Sequence, residues 1–321
     1  MSARLIVHSC VASCVIFTAA TALAQPVPSA GQQAAKEAEP AAQPQPPTTS
    51  PQPSRYWELP ALSVPGESKP ELREEDQIGS YAQPRWTAAR RFPTTRIYVI
   101  PEGKAEFEWW MRYTFPTEEP TARREVRNYY EIGFGIGHRL QVDFYVVTQQ
   151  QGHGEHAGIE LKREQLELRY ALADWGKIWG NPTLYLEWQR RSGGHDWIEE
   201  KLLLGGQLAP GWHGGVNFVI ENELGGPTWE HEYQVTGGIS RTVVDEVFHI
   251  GVEGYSEVHD VSGDRLRFSD KERVFLGGPS FMVNPIPPMR ILLLPMVGQG
   301  SEGEDGMETL VRIWLVSGWT F

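Results

Sequence analysis

"VRIWLVSGWTF", residues 311–321, alternates its side chains down to the last residue. Counting back, Phe321, Trp319, Leu315, Ile313 and Val311 share one face, interrupted by Ser317, while Thr320, Gly318, Val316, Trp314 and Arg312 share the other. A period of two is that of a β-strand, whose successive side chains point to opposite faces. Domain ends usually fray into polar residues. A final strand that does not fray is expected to close a sheet, because an open sheet edge cannot exist in hydrocarbon.

The same alternation runs back to about residue 104. In NPTLYLEWQRR (181–191), Leu184, Leu186 and Trp188 oppose Tyr185, Glu187 and Gln189. In EIGFGIG (131–137), Ile132, Phe134 and Ile136 oppose Glu131, Gly133 and Gly135. Twelve such stretches are predicted, near 104–115, 125–137, 139–149, 159–173, 182–192, 198–209, 211–223, 229–241, 245–257, 271–284, 289–299 and 308–321. Each is near the ~9–11 residues that a tilted membrane strand needs. No segment sustains the 3.6-residue period of a helix.

The connections sort by parity. Those after odd-numbered strands are longer or more polar, such as PTEEPTAR, QGHGEHA and VHDVSGDRLRFSD. Those after even-numbered strands are tight, such as GHR, APG and PIPP, with ADWGKIWGN the exception. A soluble sheet with one wet face shows the same alternation along its strands. It has no reason to sort its loops, whereas outer-membrane barrels combine an even strand number with short periplasmic turns and long outer loops. The fold expected is an all-β, antiparallel, up-and-down transmembrane barrel of about twelve strands (101–321), with one apolar band against lipid. Trp109, Tyr113, Trp175, Trp179, Trp188, Trp212, Trp229 and Trp319 fall near strand ends, where interfacial girdles are expected.

With its terminal aromatic and alternating apolar residues, the ending resembles the C-terminal strand of Gram-negative outer-membrane β-barrel proteins, a broad porin-like or transporter-like class. That resemblance implies an outer-membrane location, contact with outer-membrane lipid and lipopolysaccharide, and Trp319 and Phe321 as the assembly signal read by the barrel-assembly machinery.

The beginning of the chain fits that location. Arg4, an apolar run to residue 24 and Ala22-Leu23-Ala24 before Gln25 read as a cleaved secretory signal (1–24). An uncleaved anchor and a lipidated Cys14 are the alternatives. Both cysteines, Cys10 and Cys14, lie in that segment, so the remainder is expected to lack thiol chemistry. Its loss takes one of 29 basic residues and leaves 28 against 41 acidic ones, a net charge of −13. A basic nucleic-acid footprint is absent. Residues 25–54, with eight prolines and no aromatic, read as a disordered linker. Residues 55–100 read as an extension, either periplasmic or docked in the lumen.

The polar strand faces place Glu108, Arg112, Glu131, Asp143, Glu187, Glu221, Glu253 and Arg312 in the lumen, among Glu106, Glu167, Arg169, Arg191 and Glu232. These charges can satisfy one another and fill a small barrel. Because carboxylates outnumber guanidiniums there, they can also line a narrow cation-favouring pore. The leading reading is a small passive channel or porin-like transporter with an acidic lumen. Two others stay open: a lipid-modifying barrel enzyme (hydrolase or deacylase), and a structural barrel whose loops or tether bind a partner.

For the enzyme, His231 and Ser256 are expected on neighbouring strands, equidistant from a turn near Val243. A base beside a hydroxyl is the minimum for an activated nucleophile, but no third residue orients the base. His153, Glu155 and His156 form a weak metal set. The acidic loops (Glu302, Glu304, Asp305; Asp260, Asp264, Asp270) lack calcium-loop spacing. Gly133, Gly135 and Gly137 precede no helix and so are no phosphate cradle. No cofactor is expected, and oligomeric state is open.

Overall fold

A computed structural model describes residues 73–117, 124–151, 158–226, 230–260, 272–301 and 306–321. The expectations for residues 1–24 and 25–54, for Trp229, for His153, Glu155 and His156, and for most of the acidic loops lie outside the described residues.

Two short strands, β1 (Gln77–Ile78) and β2 (Gln83–Pro84), form a small hairpin, followed by a 3-10 turn at Arg85–Ala88. Then twelve strands close a barrel: β3 (Ala105–Pro116), β4 (Glu125–Gly137), β5 (Leu140–Gln151), β6 (Gly158–Ala171), β7 (Thr183–Arg191), β8 (Asp196–Ala209), β9 (Trp212–Leu224), β10 (His231–Val244), β11 (Phe248–Asp260), β12 (Glu272–Ile286), β13 (Met289–Ser301) and β14 (Met307–Thr320). Each pairs antiparallel with its chain neighbours, and β14 pairs with β3 from Leu310↔Pro116 to Thr320↔Glu106. Backbone bonds between Phe321 and Ala105, at 2.8 and 3.2 Å, complete that seam. Closure leaves no edge to be satisfied in lipid.

The faces separate as period two requires. Ile132, Phe134, Phe144, Leu166, Leu186, Phe218, Val252 and Phe275 are exposed on the outside, while Glu131, Asp143, Glu167, Glu187, Glu221 and Glu253 are buried inside. An apolar outer band around a polar interior is the membrane-barrel arrangement. The loops that follow β3, β5, β9 and β11 are long at one end, and two- or three-residue turns follow β4, β8, β10 and β12 at the other. The long-loop end therefore faces outward and the short-turn end faces the periplasm.

Residues 81–101 lie inside this barrel, in its short-turn half, and the segments 73–80 and 102–104 on either side of them are largely exposed. Ile97 packs on Gly205 and Gly215 of β8 and β9, where an added Cβ would lie 2.4 Å from it. Ile100 and Pro101 lie on Gly133 and Gly135 of β4, and a Cβ on Gly135 would meet the Pro101 carbonyl oxygen at 2.1 Å. These strand glycines let a second backbone approach the wall. The long turn after β6 also belongs to this packing. Trp175 donates its backbone N–H to Tyr81 O at 2.9 Å and meets the Trp86 ring edge-on at 5.6 Å. Trp175 therefore holds the inserted segment and is not a girdle residue.

Candidate functional site

The interior is organised on two levels. At the lower level, residues 89–101 stopper the barrel through a buried charge cluster. Arg90 Nε lies 2.9 Å from Glu108, and Arg96 donates to Glu106 at 2.6 Å. Arg290 of β13 donates to Glu108 at 2.6 Å and lies 3.1 Å from Glu106. Glu131 lies 3.6 Å from Arg90 and 3.5 Å from Arg96. Three guanidiniums face three carboxylates, and all six residues are almost fully buried. Such a cluster is tolerated out of water because the opposite charges are matched. Arg90 also stacks over the Trp110 ring at 4.0 Å. Around it, Thr94 donates its N–H and its hydroxyl to Glu253 at 2.9 and 2.6 Å. Gln141 of β5 bridges the segment and the wall: its amide donates to Asp143 at 2.8 Å, while its oxygen accepts from Ile100 N at 2.5 Å.

Each expected lumen carboxylate thus has a partner. Besides Glu108, Glu131 and Glu253, Asp143 lies 3.8 Å from Arg169. Glu187 accepts from Gln165 and from the Tyr185 hydroxyl. Glu221 lies 3.3 Å from Arg191. The acidic excess counted on the strand faces is met in part by Arg90 and Arg96, which that count leaves out because they precede the barrel.

At the upper level, in the long-loop half, lies a cavity of about 690 Å³. It shares Arg112, Arg163, Glu221, Gln234 and Tyr255 with a deeper cavity of about 140 Å³. The deeper one is bounded by Arg90, Pro93, Thr94 and Arg96, so the apex of the inserted segment is its floor. An apolar layer of Tyr129, Val147, Leu294, Met296 and Trp314 packs beside it. Arg112 and Arg312 line the upper cavity. Arg112 donates to Glu125 at 2.5 Å, and Arg312 donates to the Thr114 hydroxyl at 3.3 Å.

His231 and Ser256 are not brought together. The register pairs His231 with Asp260 and Ser256 with Val235, four residues apart along the ladder. The reason is the turn. Val247 N bonds to Val244 O at 3.1 Å, and a register shift follows Thr242, so β11 starts at Phe248 and not at 245. His231 bonds instead to Asn222 at 2.7 Å. Trp319 packs against Phe107 with ring centroids 6.0 Å apart, and Phe321 is exposed.

Sequence reasoning left the lumen as one of two places for residues 55–100 and named none of the segment's own residues that hold the stopper. Its signal was present: inward glycines within strands (Gly133, Gly135, Gly205, Gly215), opposite an arginine-rich stretch with Arg85, Arg90, Arg91 and Arg96.

No family model matches the chain, and no curated protein matches it. Solved structures similar in fold include the COG4313 outer membrane channel from Pseudomonas putida F1, at 9% identity and TM-score 0.48 over 72% of this chain and 100% of that one. The NanC porin matches at 10% identity and TM-score 0.46 over 65% and 98%. The translocator domain of the autotransporter NalP from Neisseria meningitidis matches at 10% identity and TM-score 0.38 over 68% and 88%. At such values the chain's own geometry has to carry the functional reading. A closed twelve-stranded barrel with an apolar outer band and a polar interior is an outer-membrane β-barrel of a Gram-negative bacterium.

Proposed function

We propose that this porin-like barrel is a small-solute channel whose path is the charged lumen, held shut from the periplasmic side by residues 81–101. The observation that carries this reading is the floor of the inner cavity. Arg90, Pro93, Thr94 and Arg96 close it with side chains of an inserted segment, where a permanently filled barrel needs only side chains of its wall. A segment held by ion pairs is a removable closure, because water can resolvate its charges once it leaves. The hydrolase reading has lost its proposed neighbours, His231 and Ser256.

Single-channel recording of the folded full-length protein in a planar bilayer tests the proposal. Wild type is expected to be closed for most of the record, with brief steps. The double variant Arg90→Gln/Arg96→Gln is expected to open far more often. A folded barrel that stays silent in both forms overturns the channel and leaves the structural barrel.

A further inference from the structure

The upper cavity is lined by an arc of arginines. Arg312 lies on β14, Arg112 on β3, Arg127 on β4, Arg163 on β6 and Arg191 on β7. Two of the pairs are directly opposed like charges: Arg112↔Arg127 and Arg163↔Arg191 are Cα partners across neighbouring strands. Opposed like charges destabilise a sheet, so the arc needs a counter-charge.

The protein supplies part of one. Glu125 takes both Arg112 and Arg127, at 2.5 and 2.9 Å, and Glu221 takes Arg191 at 3.3 Å. Among the described residues, no carboxylate lies within ion-pair distance of Arg163 or Arg312. Among the described residues Arg163 donates to Gln189, at 2.9 Å. Arg312 is 6% exposed, and its Nη1 has no hydrogen-bond partner. Its guanidinium stacks over Tyr255 at 4.8 Å, and that of Arg191 over Trp197 at 3.8 Å. Stacking fixes the planar forks, and although Arg191 is already engaged by Glu221 and Arg312 Nε by Thr114, Arg312 keeps Nη1 unpartnered, a donor of the kind that grips carboxylate and phosphate oxygens. The remaining carboxylates of this cavity are Glu232 on β10, Glu257 on β11, Glu272 on β12 and Glu308 on β14, and none of them lies within ion-pair distance of Arg163 or Arg312 among the described residues.

We propose that the Arg163–Arg312 side of the upper cavity is a binding site for a small anionic solute carrying a carboxylate or phosphate group. The proposal deepens the channel reading by naming the class of solute, and it rests on that reading only in treating the cavity as the entrance to the path. It replaces the cation preference expected from the strand faces.

The test is calorimetric titration of the folded full-length protein, in detergent at low ionic strength, with inorganic phosphate and separately with succinate. Saturable binding of at least one is expected, weakening as salt rises. In Arg163→Gln/Arg312→Gln the affinity should fall about tenfold or more, the equivalent of one lost charge-assisted hydrogen bond. Arg139→Gln, in an exposed turn at the opposite end, should bind as wild type does. A heat-modifiable gel shift confirms that each variant is folded, and if the double variant is not, Arg312→Lys replaces it, which keeps the charge and loses the fork. No saturable binding of either anion, or binding unchanged in the folded variant, overturns the site. Anion binding in a barrel that never conducts sinks the channel and leaves the site standing. Conduction without anion binding does the reverse.

Discussion

Arg90 and Glu108 face each other at 2.9 Å, almost wholly shielded from solvent, one on the inserted segment and the other on the first barrel strand. Glu108 also accepts from Arg290, so this carboxylate ties the stopper to the wall on two sides. Removing one partner of such a buried pair typically costs about 3–5 kcal/mol, because the other charge is stranded. The stopper is therefore expected to be the part of the molecule most easily released by substitution.

Glu108→Arg should strand like charges beside Arg90 and Arg290 and raise the open fraction in bilayer recordings. The charge-swapped Arg90→Glu/Glu108→Arg protein should close again in part. If both record alike, the pair does not hold the segment.

Gly215→Val acts on the same segment without touching a charge. Its new side chain would start 2.4 Å from Ile97, inside any van der Waals contact. The barrel is expected to fold, with residues 81–101 expelled. Trypsin should then cut after Arg90 or Arg91 many times faster than in wild type. Equal protection in both proteins would place the hold elsewhere.

The outer band can be tested at Phe144, which is 49% exposed between Ile132 and Leu166. Phe144→Arg should destabilise the barrel in lipid vesicles by about 2–4 kcal/mol, as lipid-facing arginines near the midplane do. Guanidinium titration of both proteins gives the difference. A change near zero would mean that this face is not against lipid.

For lipid hydrolysis, the register leads to a plain expectation: His231→Ala and Ser256→Ala leave phospholipid turnover at the level of a barrel-free control, like wild type. Turnover present in wild type and abolished in both variants would restore the enzyme.

The barrel was legible from residues such as Ile132, Phe134, Phe144 and Leu186, because lipid outside and polar groups inside impose a period of two on every strand. Loop sorting gave orientation by the same local logic, and the observed strand ends fall within a few residues of those expected. The β10–β11 turn was misplaced because neither Val243 nor Glu246 carries a distinctive turn residue, and the bulge near Thr242 shifts the count. The sequence by itself therefore determined an outer-membrane barrel with alternating apolar and polar strand faces. Tertiary structure alone decided that residues 81–101 occupy its interior, that Arg90 and Arg96 pair with the carboxylates there, and that Arg163 and Arg312 have no carboxylate within ion-pair distance among the described residues. Those choices depend on distances across the lumen, as between Thr94 and Glu253, 159 residues apart. A strand's alternation fixes the direction of a side chain, but not which charge it meets on the far side.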